Sequence, residues 1–213
     1  MNQVFTLLQV LDYVGIGVFA ATGALAASRK QLDLVAFIFF ATVTAIGGGT
    51  LRDVLLDVPV FWVRSPLHLA IPLCVAVLVY FTAHLFESRY RVLLWADAIG
   101  LAAYSVVGAA KTLNVGASIA DALALGVLTA TFGGVIRDVL AGEPSVILRR
   151  ELYITAAFAG ALAFVLLAGI GAPFWSAATA GFLVAFGVRA GALSWGWALP
   201  VYRTRPGRDS SKL

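Results

Sequence analysis

The chain repeats itself at a spacing of 85 residues. The segment TAIGGGTLRDVL at 44–55 aligns without a gap with TATFGGVIRDVL at 129–140, and eight of the twelve positions are identical. The same shift places Asp12 on Asp97. A chain that carries one unit twice is expected to fold as two related halves that pack against each other.

The composition indicates which kind of unit is repeated. Hydrophobic residues make up 61% of the 213 residues and charged residues 12%, with a mean hydropathy of +0.95. A soluble domain carries about 25% charged residues. The chain is therefore predicted to be a membrane protein, with the lipid bilayer as its surroundings. Its N-terminus lacks the basic region and the small-residue cleavage site of a signal peptide.

Charge-poor stretches and the breakers between them predict seven membrane spans, because a helix needs about 20 residues to cross the hydrocarbon. The spans cover about 7–27, 34–57, 66–86, 93–111, 117–141, 151–170 and 173–191. Residues 152–188 carry no charge and are too many for one crossing. The Gly- and Pro-containing sequence GIGAPF at 169–174 predicts the turn that divides them.

Each repeat contains three predicted spans, and an odd number of crossings forces the second copy to enter from the opposite side. The sequence thus predicts an all-α membrane protein in which an inverted repeat of three plus three helices is followed by a seventh. The first repeat is assigned to 1–86 and the second to 87–171. The seventh helix is assigned to 172–200, and 201–213 is predicted to be a disordered basic tail in the cytoplasm.

Basic residues predict the orientation, because Lys and Arg accumulate in cytoplasmic loops. With the N-terminus outside, ten basic residues fall on the cytoplasmic side: Arg29, Lys30, Arg89, Arg91, Arg149, Arg150, Arg203, Arg205, Arg208 and Lys212. Only Arg64 and Lys111 remain on the outer side. Since topology explains the net charge of +4, nucleic acid is not expected as a partner.

Glycines occupy equivalent positions in the second and fifth predicted spans. They are Gly47, Gly48 and Gly49 in the first repeat and Gly133 and Gly134 in the second. Each glycine in a helix costs about 1 kcal/mol relative to Ala. We therefore expect both helices to be broken there, with backbone carbonyls that line a pathway near the bilayer midplane. The alternative is that the glycines only permit close helix packing.

An Arg-Asp pair follows each glycine motif, Arg52 with Asp53 and Arg137 with Asp138. Insertion scales assign about 2.5–3.5 kcal/mol to such a charge at the centre of a span. Because neighbouring residues point about 100° apart on a helix, we expect crossed pairs, Arg52 with Asp138 and Arg137 with Asp53. These charges either form a structural clasp between the repeats or belong to a functional cavity, and the two interpretations are compatible.

Lys111 closes the fourth predicted span, where the sequence leaves two interpretations open. The side chain either reaches outward to the interface or lies at the mouth of a cavity, on the helix face of Gly108 and Tyr104. Three aspartates, Asp12, Asp97 and Asp121, are predicted to begin helices and to meet the helix dipole there. His68 and His84 are interpreted as interfacial side chains, at opposite ends of the third span.

Sequence motifs for chemistry are lacking. There is no G-x-S-x-G, P-loop, H-E-x-x-H or paired catalytic carboxylate motif. The single cysteine excludes a disulfide framework, and no Cys/His cluster has zinc spacing. We therefore expect no enzymatic activity, no cofactor and no tightly bound metal.

Three segments together resemble a known family. GGGTLRDVLLDVPVFWV at 47–63, FGGVIRDVLAGEPSVILRRELY at 132–153 and GAAKTL at 108–113 are similar to the prokaryotic trimeric intracellular cation (TRIC) channels. The resemblance covers residues 5 to about 200. Related bacterial membrane proteins described as glycine transporters share the same double motif, so a secondary transporter of a small amino acid such as glycine is the alternative.

The resemblance implies a homotrimer in a bacterial or archaeal plasma membrane, with an hourglass pore for K⁺ or Na⁺ in each protomer. It further implies that the second and fifth helices bend at their glycine motifs. Lys111 and the two Arg-Asp pairs would be pore-facing or gate-bracing groups. Phe132 departs from the family pattern, since a third glycine could stand there. The Lys-Glu-Val motif of the animal proteins is also absent, so phosphoinositide binding is not carried over.

Overall fold

The computed structural model describes residues 2–86, 88–149 and 151–200, with side chains from residue 8 onward. Regular secondary structure within these ranges is helical. The α-helices are α1 (Asn2–Arg29), α2 (Leu34–Leu55), α3 (Phe61–Arg64), α4 (Leu67–Thr82), α5 (Arg89–Asn114), α6 (Ile119–Leu140), α7 (Ile154–Gly169) and α8 (Phe174–Trp195). Short 3-10 helices follow α4 at Ala83–Leu85 and α6 at Val146–Leu148. The tail predicted to be disordered, 201–213, lies outside the described residues.

Six helices among the described residues are long and apolar enough to cross a membrane, namely α1, α2, α4 with its 3-10 extension, α5, α6 and α8. The remaining predicted span corresponds to α7, which is apolar but has 16 residues. At 1.5 Å per residue it covers about 24 Å, less than the hydrocarbon thickness of about 30 Å. The turn predicted at 169–174 is present between α7 and α8, with Gly171 at a φ of 81°.

The internal repeat is visible in the turns that end equivalent helices. After α1 and α5, Gln31 and Gly116 have φ values of 55° and 82°. After α2 and α6, Asp57 and Gly142 have φ values of 53° and 61°. Both pairs are 85 residues apart, and positive φ is uncommon for non-glycine residues such as Gln31 and Asp57. The two repeats therefore use the same backbone turns.

The repeats run in opposite directions. Two contacts between α2 and α6 define this: a Cβ on Gly48 would overlap the carbonyl oxygen of Thr129, and one on Gly133 would overlap that of Thr44. Since a later residue of α2 meets an earlier residue of α6, the two helices are antiparallel. The predicted inversion of the second repeat is present in the packing. We call this pair of contacts the glycine crossing.

A second set of contacts repeats the symmetry between α1 and α5. A Cβ on Gly15 would overlap the ring of Tyr104, and one on Gly100 would lie 3.0 Å from the ring of Phe19. The rings of Phe19 and Tyr104, which occupy equivalent positions, lie 5.2 Å apart. An approximate two-fold axis thus passes through the centre of the protein, and equivalent residues of the two repeats meet on it.

The eighth helix packs against the second repeat. It contacts α5 and α7, and Gly160 of α7 and Gly181 of α8 approach closely. A Cβ on either glycine would lie 2.8 Å from the carbonyl oxygen of the other. This helix is the appended element that the sequence predicts after the two repeats.

The expected break at the glycine motifs is wrong in this structure. Both α2 and α6 continue without interruption through Gly47, Gly48, Gly49, Gly133 and Gly134. The physical reason at Gly48 and Gly133 is the glycine crossing, in which each helix lies so close to the other that no side chain fits. Gly49 and Gly134 instead face the side chains of Phe61 and Tyr153.

Candidate functional site

Charged side chains gather in two places, at equivalent positions of the two repeats. The first charge cluster contains Asp12, Arg52, Asp53, His68 and Lys111. The second charge cluster contains Asp97, Arg137, Asp138, Glu151 and Arg189, with Tyr153 between its two arginines. Both clusters are built mainly from the C-terminal turns of α2 or α6 and from the helix that begins each repeat.

In the first charge cluster, Arg52 pairs with its neighbour Asp53. The guanidinium donates from Nε at 2.8 Å and Nη2 at 2.6 Å to Oδ1 of Asp53. The other carboxylate oxygen, Oδ2, accepts a hydrogen bond of 2.9 Å from the backbone N–H of Phe61, the first residue of α3. The Asp53 carboxylate therefore connects the end of α2 to the chain that follows it.

The second charge cluster repeats this arrangement. Arg137 donates from Nε to Oδ1 of Asp138 at 3.0 Å, and Oδ2 of Asp138 accepts from the backbone N–H of Val146 at 2.9 Å. In addition, Nη1 of Arg137 donates to Oδ1 of Asp97 at 2.7 Å. Arg137 thereby links α6 to α5 through an ion pair in which both side chains are almost completely buried.

The expected crossed pairs, Arg52 with Asp138 and Arg137 with Asp53, are wrong. A guanidinium at the end of a long side chain folds back to its neighbour, so the 100° between adjacent positions on a helix does not prevent pairing. Because α2 and α6 are antiparallel, Arg137 is level with residue 40 of α2 and lies twelve residues from Arg52. At 1.5 Å per residue this places the arginines about 18 Å apart along the helix axis.

Lys111 lies in the first charge cluster. Its Nζ donates to Oδ2 of Asp12 at 2.6 Å and stands 5.2 Å from the ring centre of Phe61. Of the two interpretations left open by the sequence, the structure places the side chain against the bundle and not out at the interface. Tyr104, predicted on the same face, directs its hydroxyl to the backbone carbonyl of Asp12 at 3.5 Å.

Two of the three aspartates assigned to helix starts lie elsewhere. Asp12 is ten residues into α1 and Asp97 eight residues into α5, and both are buried ion-pair partners. Of the three, only Asp121 lies at a helix start, where it forms a reciprocal capping box with Ser118, the N-cap residue of α6. Asp12 and Asp97 occupy equivalent positions 85 residues apart, and this equivalence is the sequence signal for a shared role.

Sequence reasoning also missed other members of the clusters. His68 was interpreted as interfacial, but it is buried with Nε2 3.7 Å from Oδ2 of Asp12. Arg189 of α8 is completely buried, pairs with Glu151 at 2.7 Å and lies over the Tyr153 ring at 5.1 Å. A lone arginine in an otherwise uncharged span was the signal for the latter.

The glycine crossing lies between the two charge clusters and also contains polar side chains. Thr44 and Thr129 are buried at equivalent positions there. Thr129 donates its hydroxyl to the carbonyl of Leu125 at 2.6 Å. Within the described ranges, the hydroxyl of Thr44 has no hydrogen-bond partner. Nor do those ranges contain a group of three or more His, Cys, Asp or Glu side chains suited to hold a metal ion.

Comparison with known proteins identifies the repeat as a family feature. A family model described as Glycine transporter matches the chain twice, at residues 9–84 and 94–169. The UPF0126 inner membrane protein YadS of Escherichia coli K12 is 37% identical over 198 residues, which are 90% of this chain and 94% of that protein. The UPF0126 membrane protein YvgT of Bacillus subtilis 168 is 31% identical over 198 residues, 90% of this chain and 95% of that protein.

Solved structures share the fold over nearly the whole chain. The TRIC trimeric intracellular cation channel orthologue from Rhodobacter sphaeroides has a TM-score of 0.88 and 52% identity, covering 90% of this chain and 100% of that one. A structure that describes conductance through TRIC cation channels has a TM-score of 0.81 and 30% identity, with 93% and 98% covered. With its apolar spans, this is a multi-pass membrane protein. The chain belongs to the TRIC family, within the group whose family model is described as Glycine transporter.

Proposed function

We propose that this protein is a channel for monovalent cations, K⁺ or Na⁺, with one pore in each protomer. The observation that carries the proposal is the placement of two charge clusters on either side of the glycine crossing. Similarity to solved TRIC cation channels supports it. The pore would run along the contact between α2 and α6, past one cluster, the crossing and the other cluster.

The charges are compatible with cation passage although the clusters contain arginines. In the first charge cluster, Arg52 and Lys111 are balanced by Asp12 and Asp53 when His68 is neutral, and each cation has a carboxylate oxygen within 2.8 Å. Paired in this way, the basic groups do not present a net positive field to a permeating cation. Their proposed role is to hold the aspartates and to brace the gate.

The second charge cluster has a negative formal balance. Its two arginines, Arg137 and Arg189, face three carboxylates, those of Asp97, Asp138 and Glu151. Excess negative charge at a pore entrance attracts cations and disfavours anions. The proposed K⁺ or Na⁺ selectivity over chloride therefore originates at this end.

The proposed constriction is the glycine crossing, which corresponds to a closed pathway in this conformation. Gly48 and Gly133 touch the opposite backbone, so α2 and α6 must separate there before an ion can pass. The buried Thr44 hydroxyl and the carbonyl oxygens of Thr44 and Thr129 then supply oxygen ligands of the kind that replace an ion's hydration shell. Bending at the glycines is the proposed opening motion.

The proposed assembly is a homotrimer in the bacterial or archaeal plasma membrane. We propose that α7 is a seventh span, that the N-terminus lies outside and that the C-terminus is cytoplasmic. Reporter fusions after residues 30, 90, 150 and 205 test this orientation, and all four should report a cytoplasmic location. A periplasmic signal after residue 90 would contradict it.

The channel proposal is tested by recording from the purified protein in a planar bilayer. Unitary current steps in KCl or NaCl, with a reversal potential that favours the cation over chloride, are the expected result. A permeability ratio that favours chloride would overturn the cation assignment.

Secondary transport of a small amino acid such as glycine is the second candidate, favoured by the family model that matches both repeats. Inverted repeats are a recurring feature of secondary transporters. Stoichiometric uptake of labelled glycine into proteoliposomes without unitary current would establish transport in place of conduction.

A further inference from the structure

We infer that His68 is a proton-binding site that controls the Asp12–Lys111 ion pair, so that acidification on the side of the first charge cluster lowers cation conductance. The conductance part of this inference rests on the proposed channel function. The proton-binding part stands on the geometry of the cluster alone.

The imidazole of His68 is oriented by one definite hydrogen bond. Its Nδ1 lies 3.1 Å from the backbone carbonyl oxygen of Ser65. A carbonyl oxygen can only accept, so Nδ1 carries the hydrogen of the neutral ring. The unprotonated nitrogen of that ring is Nε2, which faces Oδ2 of Asp12 at 3.7 Å. This distance is too long for a hydrogen bond, and two lone pairs face each other across it.

Protonation converts this contact into an attractive one. The added proton goes to Nε2, which then donates toward Oδ2 of Asp12. The same oxygen already accepts from Nζ of Lys111 at 2.6 Å. Two cations then share one carboxylate oxygen, the bond to Lys111 weakens, and the formal charge of the cluster changes from zero to +1. A positive group released at the pore entrance repels the permeant cation.

Aromatic and charged side chains surround His68. Its ring is held by Tyr13 and Phe61, each with a ring centre 4.9 Å away. The titratable and charged groups that face the cluster are Asp12 and Tyr13 of α1, Arg52 and Asp53 of α2, and Tyr104 and Lys111 of α5. Among these side-chain types, only imidazole ordinarily changes its charge between about pH 5 and 8.

The second repeat shows which side chain can stand in place of His68. The residue equivalent to His68 is Tyr153, 85 positions later, and it is buried beside Asp97 and Arg137. A side chain that does not titrate near neutral pH therefore fits the same backbone position beside an aspartate. His68→Tyr and His68→Gln are the two variants that remove the proton site while keeping a polar group. The matched control is His84→Gln, since His84 is exposed in the 3-10 helix Ala83–Leu85.

The experiment records K⁺ current in a planar bilayer while each chamber in turn is lowered from about pH 8 to about pH 5. For the parent protein and the His84→Gln variant, current should fall several-fold on acidification of one side only. Current through the His68→Gln and His68→Tyr variants should be insensitive to that change. A His68 variant that keeps the parent's pH response, or a parent without one, overturns the inference.

Thermal unfolding in detergent supplies a readout that does not require conduction. Protonation of His68 would change its contact with Asp12 only in the folded state, so the stability that His68 contributes should depend on pH. The excess in melting temperature of the parent over His68→Gln should therefore differ between about pH 5 and about pH 8. If this holds and no current is seen at any pH, the channel proposal fails while the proton site stands. An excess independent of pH overturns the proton site.

Discussion

Gly48 and Thr129 are in direct backbone contact across the α2–α6 interface, and their equivalents Gly133 and Thr44 make the same contact in the opposite sense. A side chain at either glycine would overlap a carbonyl oxygen of a neighbouring helix, and backbone atoms cannot move aside as the end of a flexible side chain can. The two repeats therefore meet where neither glycine can be replaced without separating the helices.

The first prediction concerns this contact. Gly48→Ala should destabilise the protein by roughly 1–3 kcal/mol, the usual cost of overpacking, and Gly48→Leu with Gly133→Leu should also abolish or strongly reduce current. Gly187→Ala in α8 is the matched control, because a Cβ there meets no atom within 4 Å. In that helix Ala should add up to about 1 kcal/mol. Unchanged melting temperature and conductance in the Gly48 and Gly133 variants would contradict the contact and its place on the pathway.

The second prediction concerns the buried ion pair of Arg137 with Asp97. Because removal of one partner leaves an uncompensated buried charge, Arg137→Ala and Asp97→Ala should each cost roughly 3–5 kcal/mol. The double mutant should recover part of this loss in chemical or thermal unfolding. The matched cycle uses Arg52 and Asp138, which lie at opposite ends of the α2–α6 contact, and should be additive within about 0.5 kcal/mol. Coupling in the second cycle with additivity in the first would reverse our assignment of partners.

The third prediction concerns Lys111. Lys111→Met should change the formal balance of the first charge cluster from zero to −1, since Asp12 would keep its charge without its closest cation. The reversal potential under a KCl gradient should move further toward that of K⁺. Lys30→Met is the control, because Lys30 pairs with Glu143 outside the clusters at 3.4 Å. A shift toward the chloride potential in the Lys111 variant would show that this lysine does not set the field at the entrance.

The fourth prediction concerns pH and the loop after α6. Burial raises the pKa of Glu143, but Arg29 and Lys30 more than offset this, so its pKa lies below the ordinary value of 4.5. A carboxylate with a depressed folded pKa stabilises the protein above its unfolded pKa, and that stability is lost as pH falls through the folded pKa. Glu143→Gln should therefore lower the melting temperature at neutral pH and have progressively less effect as pH falls below this ordinary value of 4.5.

The control for Glu143 is Asp57→Asn. Asp57 is exposed after α2, and its positive φ of 53° is a conformation that Asn also tolerates. This variant should change the melting temperature little at either pH. A Glu143→Gln effect that persists unchanged at acid pH would mean that the side chain acts through packing and not through its charge.

The sequence was most informative where a local pattern has one structural solution. The repeat, the turn at Gly171 and the places of six of the seven apolar spans follow from spacing, glycine and hydropathy, and each is present. The close approach at Gly48 and Gly133 was among the alternatives that the glycines left open. These features depend on the course of the backbone, which is determined by the pattern of residue types over one or more helical turns.

Side-chain pairing was predicted less well, because it depends on rotamers and on chain segments far away in sequence. Asp53 is held by the backbone N–H of Phe61 in a short helix that the sequence did not indicate. His68 and Asp12 meet only because α1 and α4 pack together. The helices α2 and α6 remain continuous at their glycines because a neighbouring helix fills the space. The sequence of one segment alone does not predict which helix packs against it.

The two repeats are nearly symmetric, and the few positions at which their side chains differ make the two charge clusters electrically unequal. Lys111 occupies a place whose equivalent in the first repeat is Ala26, and His68 one whose equivalent is Tyr153. In the proposed pore, an ion from one end would meet Lys111 and His68 together with one arginine and two aspartates. An ion from the other end would meet two arginines and three carboxylates. A pore of this kind is expected to rectify, that is, to carry unequal currents at equal and opposite voltages, so two nearly identical halves would give the proposed channel a preferred direction.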